Sequence, residues 1–254
     1  MFNINTSSGI TFSFPQTLSD ITLGQYIDFM TFVEPTKPSE LIAIETASQA
    51  NNEAETEQEK EKAAVDLELA VNACNDIVMY RKVYPYFARV VSHFAKGITE
   101  AEIIGGKNQG DGMNIGNLEY LYTSIVKMLN SYEEPEYTNV ILVDDELWYL
   151  PMRYMEKSTL IEYAESSQFE ANLKDVQDGN WKALAKIMCV LIRKEGEQYS
   201  DKLLKREEMF LSWTLENCLK VAFFLLKRNE TSQQNMLIYM AAQDLMNVKR
   251  ESIN

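Results

Sequence analysis

A chain of 254 residues, 46% of them hydrophobic, is long enough for one large domain or two small ones, each with a sizeable core. Its 38 acidic against 24 basic residues leave a formal charge of −14, a surface that repels phosphate backbones and argues against nucleic-acid binding. The longest aliphatic and aromatic run, Val221 to Leu226, is far short of the roughly 20 residues a membrane span needs. The first five residues lack the basic start of a secretory signal, so a soluble protein made in the cytoplasm is the expectation.

In chain order, Phe2 to Asn5 and Ile10 to Phe14 alternate apolar and polar residues around Gly9 and predict a β-hairpin that Pro15 ends. Ser19 to Thr22 offers capping side chains for a helix from Leu23 to Val33, with Leu23, Tyr26, Ile27 and Met30 on one face. A short helix is predicted over Glu40 to Ala50. The polar run Asn51 to Lys62 follows; its interleaved lysines and high helix propensity favour a solvated helix that could act as a hinge and order on assembly. From Ala63 to Arg81 the pattern is again helical, with Val65, Leu69, Cys74, Ile77 and Val78 as a loose face, and Pro85 fits the first turn of a further helix that stops near Gly97.

Gly105 to Gly116 is the one glycine-rich segment. It lacks Gly-x4-Gly-Lys-Ser/Thr, because Lys107 is followed by Asn108, and it lacks the terminal glutamate of a calcium loop, because Tyr122 stands twelve positions along from Asp111. A connecting loop is the reading. Beyond it Asn117 can cap a helix with Leu118, Leu121, Tyr122, Ile125 and Leu129 on one face. Tyr137 to Val143 and Glu146 to Leu150, joined at Asp144-Asp145, predict a second hairpin. Helices are then predicted over Leu160 to Val176, Trp181 to Arg193, Asp201 to Leu211, Thr214 to Lys227 and Thr231 to Val248. The strongest helical periodicities are Leu184, Ile187, Met188 and Leu191, then Leu215, Cys218, Leu219, Ala222 and Leu226.

Residues that carry metal or nucleophilic chemistry are sparse. One histidine, His93, lies in an apolar helix and reads as an ordinary helix residue. Three cysteines, Cys74, Cys189 and Cys218, lack paired ligand spacing and read as free buried thiols of a reducing compartment. No Gly-x-Ser-x-Gly elbow is present. Among many carboxylates, Asp144-Asp145-Glu146 is the densest short cluster outside the acidic run. A β-turn accounts for it, and a catalytic pair is the competing reading. Trp148, Tyr149, Trp181 and Trp213 suit core packing first and a protein interface second. No cofactor site is expected.

Two passages resemble proteins of tailed bacteriophages. Ile10 to Pro15 (ITFSFP) with Leu18 to Phe29 (LSDITLGQYIDF) is similar to the hairpin, proline and helix that begin small phage morphogenesis proteins. Trp181 to Ser200 (WKALAKIMCVLIRKEGEQYS), Arg206 to Phe210 (REEMF) and Val221 to Leu226 (VAFFLL) resemble the helical segment of phage tail assembly chaperones. The acidic run and the glycine-rich loop fall outside that pattern. Under half the chain is covered.

The resemblance implies a non-enzymatic protein that binds phage tail, neck or other virion proteins, or copies of itself within an assembly. It would act in the host cytoplasm during assembly or stay in the virion. A carboxylate-dependent hydrolase such as a cell-wall glycosidase and a host-directed protein-binding regulator are the alternatives. The expected fold is α+β and mainly α-helical, with two helical lobes and two small β-hairpins. Residues 1–104 form the first lobe, 105–116 a connecting loop and 117–254 the second lobe. Trp148, Tyr149, Met152 and Tyr154, at the second hairpin, are the expected partner contacts.

Overall fold

The structure, a computed structural model, describes residues 1–5, 9, 11–105, 112–130, 138, 140–150, 181–198, 200 and 202–225. The fold is mainly helical α+β with two small antiparallel sheets. The chain divides into two compact units, Met1–Tyr132 and Glu133–Asn254. The helices expected over Leu160 to Val176 and Thr231 to Val248 lie outside the described residues.

In the first unit β1 (Phe2–Asn5) pairs antiparallel with β2 (Thr11–Phe14), which carries Phe12 and Phe14 into the core at alternate positions. Lys96 adds a bridge to Ser13, with both backbone bonds at 2.8 Å. That bridge presses Gly97 against Phe12. A Cβ at Gly97 would lie 3.8 Å from Phe12 Cα, and its φ of +94° is one that L side chains rarely adopt. Helix α1 (Leu23–Asp28) starts where Thr22 accepts from Gln25 N and Gln25 reaches back to Thr22 N, a reciprocal cap. It continues through a π turn, Phe29–Val33.

Helix α2 (Ser39–Glu53) and helix α3 (Glu57–Ala73) form an antiparallel hairpin, and the acidic run is its tip. Thr56 and Glu59 make a second reciprocal cap, so the run is helical on both sides of a turn at Ala54 to Thr56. Chain direction changes at Cys74 and Asn75. Asn75 Oδ1 then accepts from Ile77 N and Val78 N to start α4 (Asp76–Val78). This short helix runs through a π turn, Met79–Val83, into α5 (Tyr84–Phe94). The sequence reading placed a new start at Pro85. Instead the widened turn before the proline absorbs the hydrogen bond its ring nitrogen cannot donate, and the helical path stays unbroken.

Helix α5 is the centre of the unit. Tyr86, Phe87, Ala88, Val90, Val91 and Phe94 are all buried, and the Phe94 ring packs at a tilt against Phe29 of the π turn after α1, 5.0 Å between centres. Helix α6 (Glu100–Ile104) ends at Gly105, whose φ of 103° is the left-handed C-terminal stop. Met113 N donates to Ile103 O at 2.8 Å, tying the residues just before the next helix to α6. Helix α7 (Ile115–Asn130) begins two residues before the expected cap, and Asn114 rather than Asn117 accepts from its first turn, at Gly116 N. Tyr122 of α7 stacks on Phe87 of α5 at 3.8 Å. That packing corrects the expected division: α7 belongs to the first unit and the boundary falls at Tyr132/Glu133, not in segment 105–116.

In the second unit β3 (Val140–Val143) and β4 (Glu146–Tyr149) form the expected hairpin around Asp144 and Asp145. Both aspartates have positive φ, 51° and 62°, the left-handed pair a two-residue hairpin turn requires. Helix α8 (Trp181–Leu191) buries Leu184, Ala185 and every residue from Ile187 to Leu191, so it is enclosed on most sides. It ends earlier than its periodicity suggests, because β5 (Arg193–Lys194) pairs with β4 as a third strand. The helix expected over Asp201 to Leu211 divides into a 3-10 turn, Leu203–Arg206, and α9 (Glu207–Leu211). Residues 215–225 form α10, started by Thr214 Oγ1 accepting from Asn217 N.

The contrast between α5 and the α2–α3 hairpin gives a direct test. Phe94→Ala empties a fully buried site and is expected to lower unfolding free energy by about 3–5 kcal/mol. The double variant Val65→Ser, Leu69→Ser on α3 is expected to change it by no more than about 0.5 kcal/mol, since both side chains are already in water. Urea midpoints of the three proteins measure this; an arm variant as damaging as F94A would contradict the packing described.

Candidate functional site

Helices α2 and α3 fully bury only Ala63, and the rest of their less exposed positions are half-buried. The less exposed positions include Leu41, Ile44 and Ala47 on α2 and are Ala63, Leu67 and Ala70 on α3, three or four apart, which is one face of each helix. Other large aliphatic side chains stay exposed: Ile42 is 47%, Val65 51% and Leu69 63% exposed. Val65 and Leu69 stand one helical turn apart and form a short apolar stripe. Around them Ser39 to Ala73 carries nine acidic residues and two lysines. Such an arm exposes apolar surface inside a negative field.

Ion pairs attach the arm at its root. Lys82 of the π turn before α5 bonds to Glu40, and Lys37 bonds to Glu45 at 2.6 Å. Lys37 also reaches Glu34 at 3.2 Å, and Tyr86 Oη donates to the other Glu34 oxygen at 2.7 Å. Burial pulls the Lys37 ammonium down, but its bonds and charge contacts with Glu45 and Glu34 outweigh burial and hold it above the usual lysine range. The same cluster lines a cleft of about 470 Å³ with Phe29, Ile125 and Leu129 as apolar walls. Three tyrosines, Tyr26, Tyr86 and Tyr122, also line it. Burial first, then the negative charge of Glu34, pushes the Tyr86 and Tyr26 phenols up; at Tyr122 the charges of Glu45 and Glu34 add to burial.

The second unit places the expected contact residues differently from the sequence reading. Trp148 is 2% exposed and packs edge-on against Trp213 and Phe210, 5.2 and 5.9 Å between ring centres. Lys194 and Arg206 cover its ring at 5.1 and 5.8 Å. It is therefore a core residue and not a partner contact. Its indole Nε1 is buried with no hydrogen-bond acceptor among the described residues. Tyr149 is half-buried, with its hydroxyl 3.4 Å from Glu195, while Met152 and Tyr154 lie outside the described residues. The side chains this hairpin offers outward are Leu142 and Leu147, paired directly across the strands and 59% and 49% exposed. The two-residue turn and the two-residue period carried that signal: pairing Val143 with Glu146 puts Ile141 opposite Trp148 inside and Leu142 opposite Leu147 outside.

Other candidates resolve into structure. Asp144 and Asp145 form the hairpin turn, and Glu146 beside them pairs with Lys194 at 2.5 Å. Those contacts account for the cluster without a shared proton or substrate. His93 places Nε2 2.8 Å from the Gln25 carbonyl and its ring against Phe94 and Phe29. Cys189 and Cys218 are buried, and burial raises both thiols, Cys189 to about 11, so neither is a ready thiolate near pH 7. Cys74 is only half-buried, at the end of α3, with its sulfur 3.4 Å from Met79 Sδ. Among the described residues no group of three or more His, Cys, Asp or Glu side chains is placed to hold a metal ion.

No family model matches the chain, and comparison with curated proteins and with solved structures finds no match.

The three tyrosines give the first unit an alkaline signature. Their phenols are held above the ordinary 10.0, so above that pH the unfolded chain releases protons that the folded one retains. The tyrosines' contribution to stability is therefore fully present below pH 10 and is lost as pH rises past it. Tyr86→Phe is expected to lose about 1–3 kcal/mol at pH 7 with the hydroxyl that Glu34 accepts from, and to decline less steeply between pH 9.5 and 11. Urea midpoints across that range decide it; parallel declines in the two proteins would remove Tyr86 as a source.

Proposed function

We propose that this chain is a non-enzymatic morphogenesis protein of a tailed bacteriophage, acting through protein–protein contacts in tail or neck assembly. It serves either as a tail assembly chaperone or as a component kept in the particle. The observation that carries the reading is the α2–α3 arm, two helices of 15 and 17 residues that bury no large side chain and hold Ile42, Val65 and Leu69 in water. Surface of this kind gains free energy only when something covers it. The residue patterns at Ile10 to Phe29 and Trp181 to Leu226, similar to those of phage morphogenesis proteins and tail assembly chaperones, give that partner its class.

Charge narrows the partner further. Nine acidic residues against two lysines make the arm repel a second arm, so a virion protein presenting lysine or arginine around an apolar strip suits it better than a second copy. Affinity would come from the aliphatic anchors, and the acidic surround would raise the association rate and reject acidic surfaces. The work is placed in the host cytoplasm during assembly. Among the described residues no helix is long and apolar enough to cross a membrane.

Quantitative mass spectrometry of purified particles and of infected-cell lysate tests the reading. A fixed copy number near a symmetry value in particles is expected for a retained component. Abundance in lysate bound to a tail or neck protein, with none in particles, is expected for a chaperone. Recovery only with a bacterial protein would overturn both in favour of a host-directed regulator. Val65→Asp with Leu69→Asp is expected to leave the fold intact by circular dichroism and to weaken the tail or neck complex at least about tenfold.

A further inference from the structure

We infer that the cleft between α1 and α7 is a binding site for an organic cation on an aliphatic stem, a guanidinium or ammonium of the size carried by arginine or lysine. The space is about 470 Å³, within the range of small-molecule pockets and roomier than one water-filled crevice requires. Its polar wall holds two carboxylates, Glu34 and Glu45, and one ammonium, Lys37, which both of them share. One negative charge is left over. Arg89, the next cation along α5, is committed to Glu100 and to Thr36 Oγ1 and does not neutralise it.

The rest of the lining suits the same ligand. Tyr26, half-buried, brings an aromatic ring to the cleft beside the carboxylates, a combination that attracts a partly desolvated cation, while Tyr86 and Tyr122, which also line it, are themselves buried. Their phenols stay protonated well past neutral pH, so they add hydrogen-bonding capacity and no further charge. Met30, Val126 and Leu129, half-buried residues of the lining, offer the apolar surface that a methylene stem would cover. An anion would meet the excess carboxylate, and a wholly apolar ligand would strip water from Glu34 and Lys37 without replacing it. Glu45 belongs to α2, so the cleft is walled on one side by the root of the arm.

The inference does not depend on the assembly reading, because the charge could arrive on a free small molecule or on a side chain of another protein. Butylguanidinium and its neutral isostere butylurea are the probes, titrated into the full chain while the Ile125 and Leu129 methyl signals are followed by NMR. Saturable shifts with butylguanidinium, binding at least about tenfold tighter than butylurea, are expected. Glu45→Gln, a half-exposed position whose loss leaves Lys37 paired with Glu34, is expected to weaken the cation about threefold or more while the melting temperature holds. Equal binding of the two probes, no saturable shift, or an unchanged affinity in E45Q would each overturn the site. An acetylated, amidated seven-residue alanine peptide with one central arginine distinguishes the sources. Binding tighter than butylguanidinium would assign the site to a protein side chain, and weaker binding to a free cation.

Discussion

Burial of one helix face holds the first unit together. On α5, Phe87, Val90, Val91 and Phe94 leave water almost completely, each worth about 1.5–3 kcal/mol. The hairpin, α6 and α7 all meet that helix or the strand residue, Lys96, that follows it. Because α5 is fixed, Tyr86 is fixed, and with it the hydroxyl that orients Glu34. The polar cluster at the cleft thus borrows its geometry from an apolar core, and needs no rigid loop of its own.

The α2–α3 arm obeys a different balance. Its shared face mixes Leu41, Ile44 and Leu67 with Ala47, Ala63 and Ala70, and of these only Ala63 is fully buried, so it removes little surface from water. Reciprocal capping at Thr56 and Glu59 and strong intrinsic helix propensity therefore carry more of its stability than packing does. Two ion pairs at the root, Lys82 with Glu40 and Lys37 with Glu45, tie it down. Exposed pairs of this kind contribute little by themselves. An arm so built can remain helical while presenting Val65 and Leu69 to something else.

In the second unit the decisive constraint is register. A two-residue turn with both aspartates at positive φ admits one pairing of β3 with β4, and that pairing sends Trp148 inward and Leu142 and Leu147 outward. Trp148 then closes a cluster with Phe210 and Trp213 under the side chains of Lys194 and Arg206. Arg206 is itself held by Glu197, whose carboxyl that guanidinium keeps below the usual range. An aromatic and a charged layer are built from three separate stretches of chain.

Local signals in the sequence determined what local physics controls. Alternation around Gly9 and around Asp144-Asp145 gave both hairpins, and the spacing of Leu184, Ile187, Met188 and Leu191 gave α8, because side-chain periodicity reports which face a segment must bury. Helix propensity identified the acidic run as helical, and the motif failures at Gly105 to Gly116 left it a connection. Tertiary structure alone decided what depends on residues far apart in the chain. It assigned α7 to the first unit through Tyr122 on Phe87, and paired Arg193 and Lys194 with β4, where local periodicity continued the helix to Arg193. It also turned the expected contact Trp148 into core and brought Glu34, Lys37, Glu45 and three tyrosines to one cleft. Those residues come from α1, the turn after it, α2, α5 and α7, and no spacing along the sequence records that they meet.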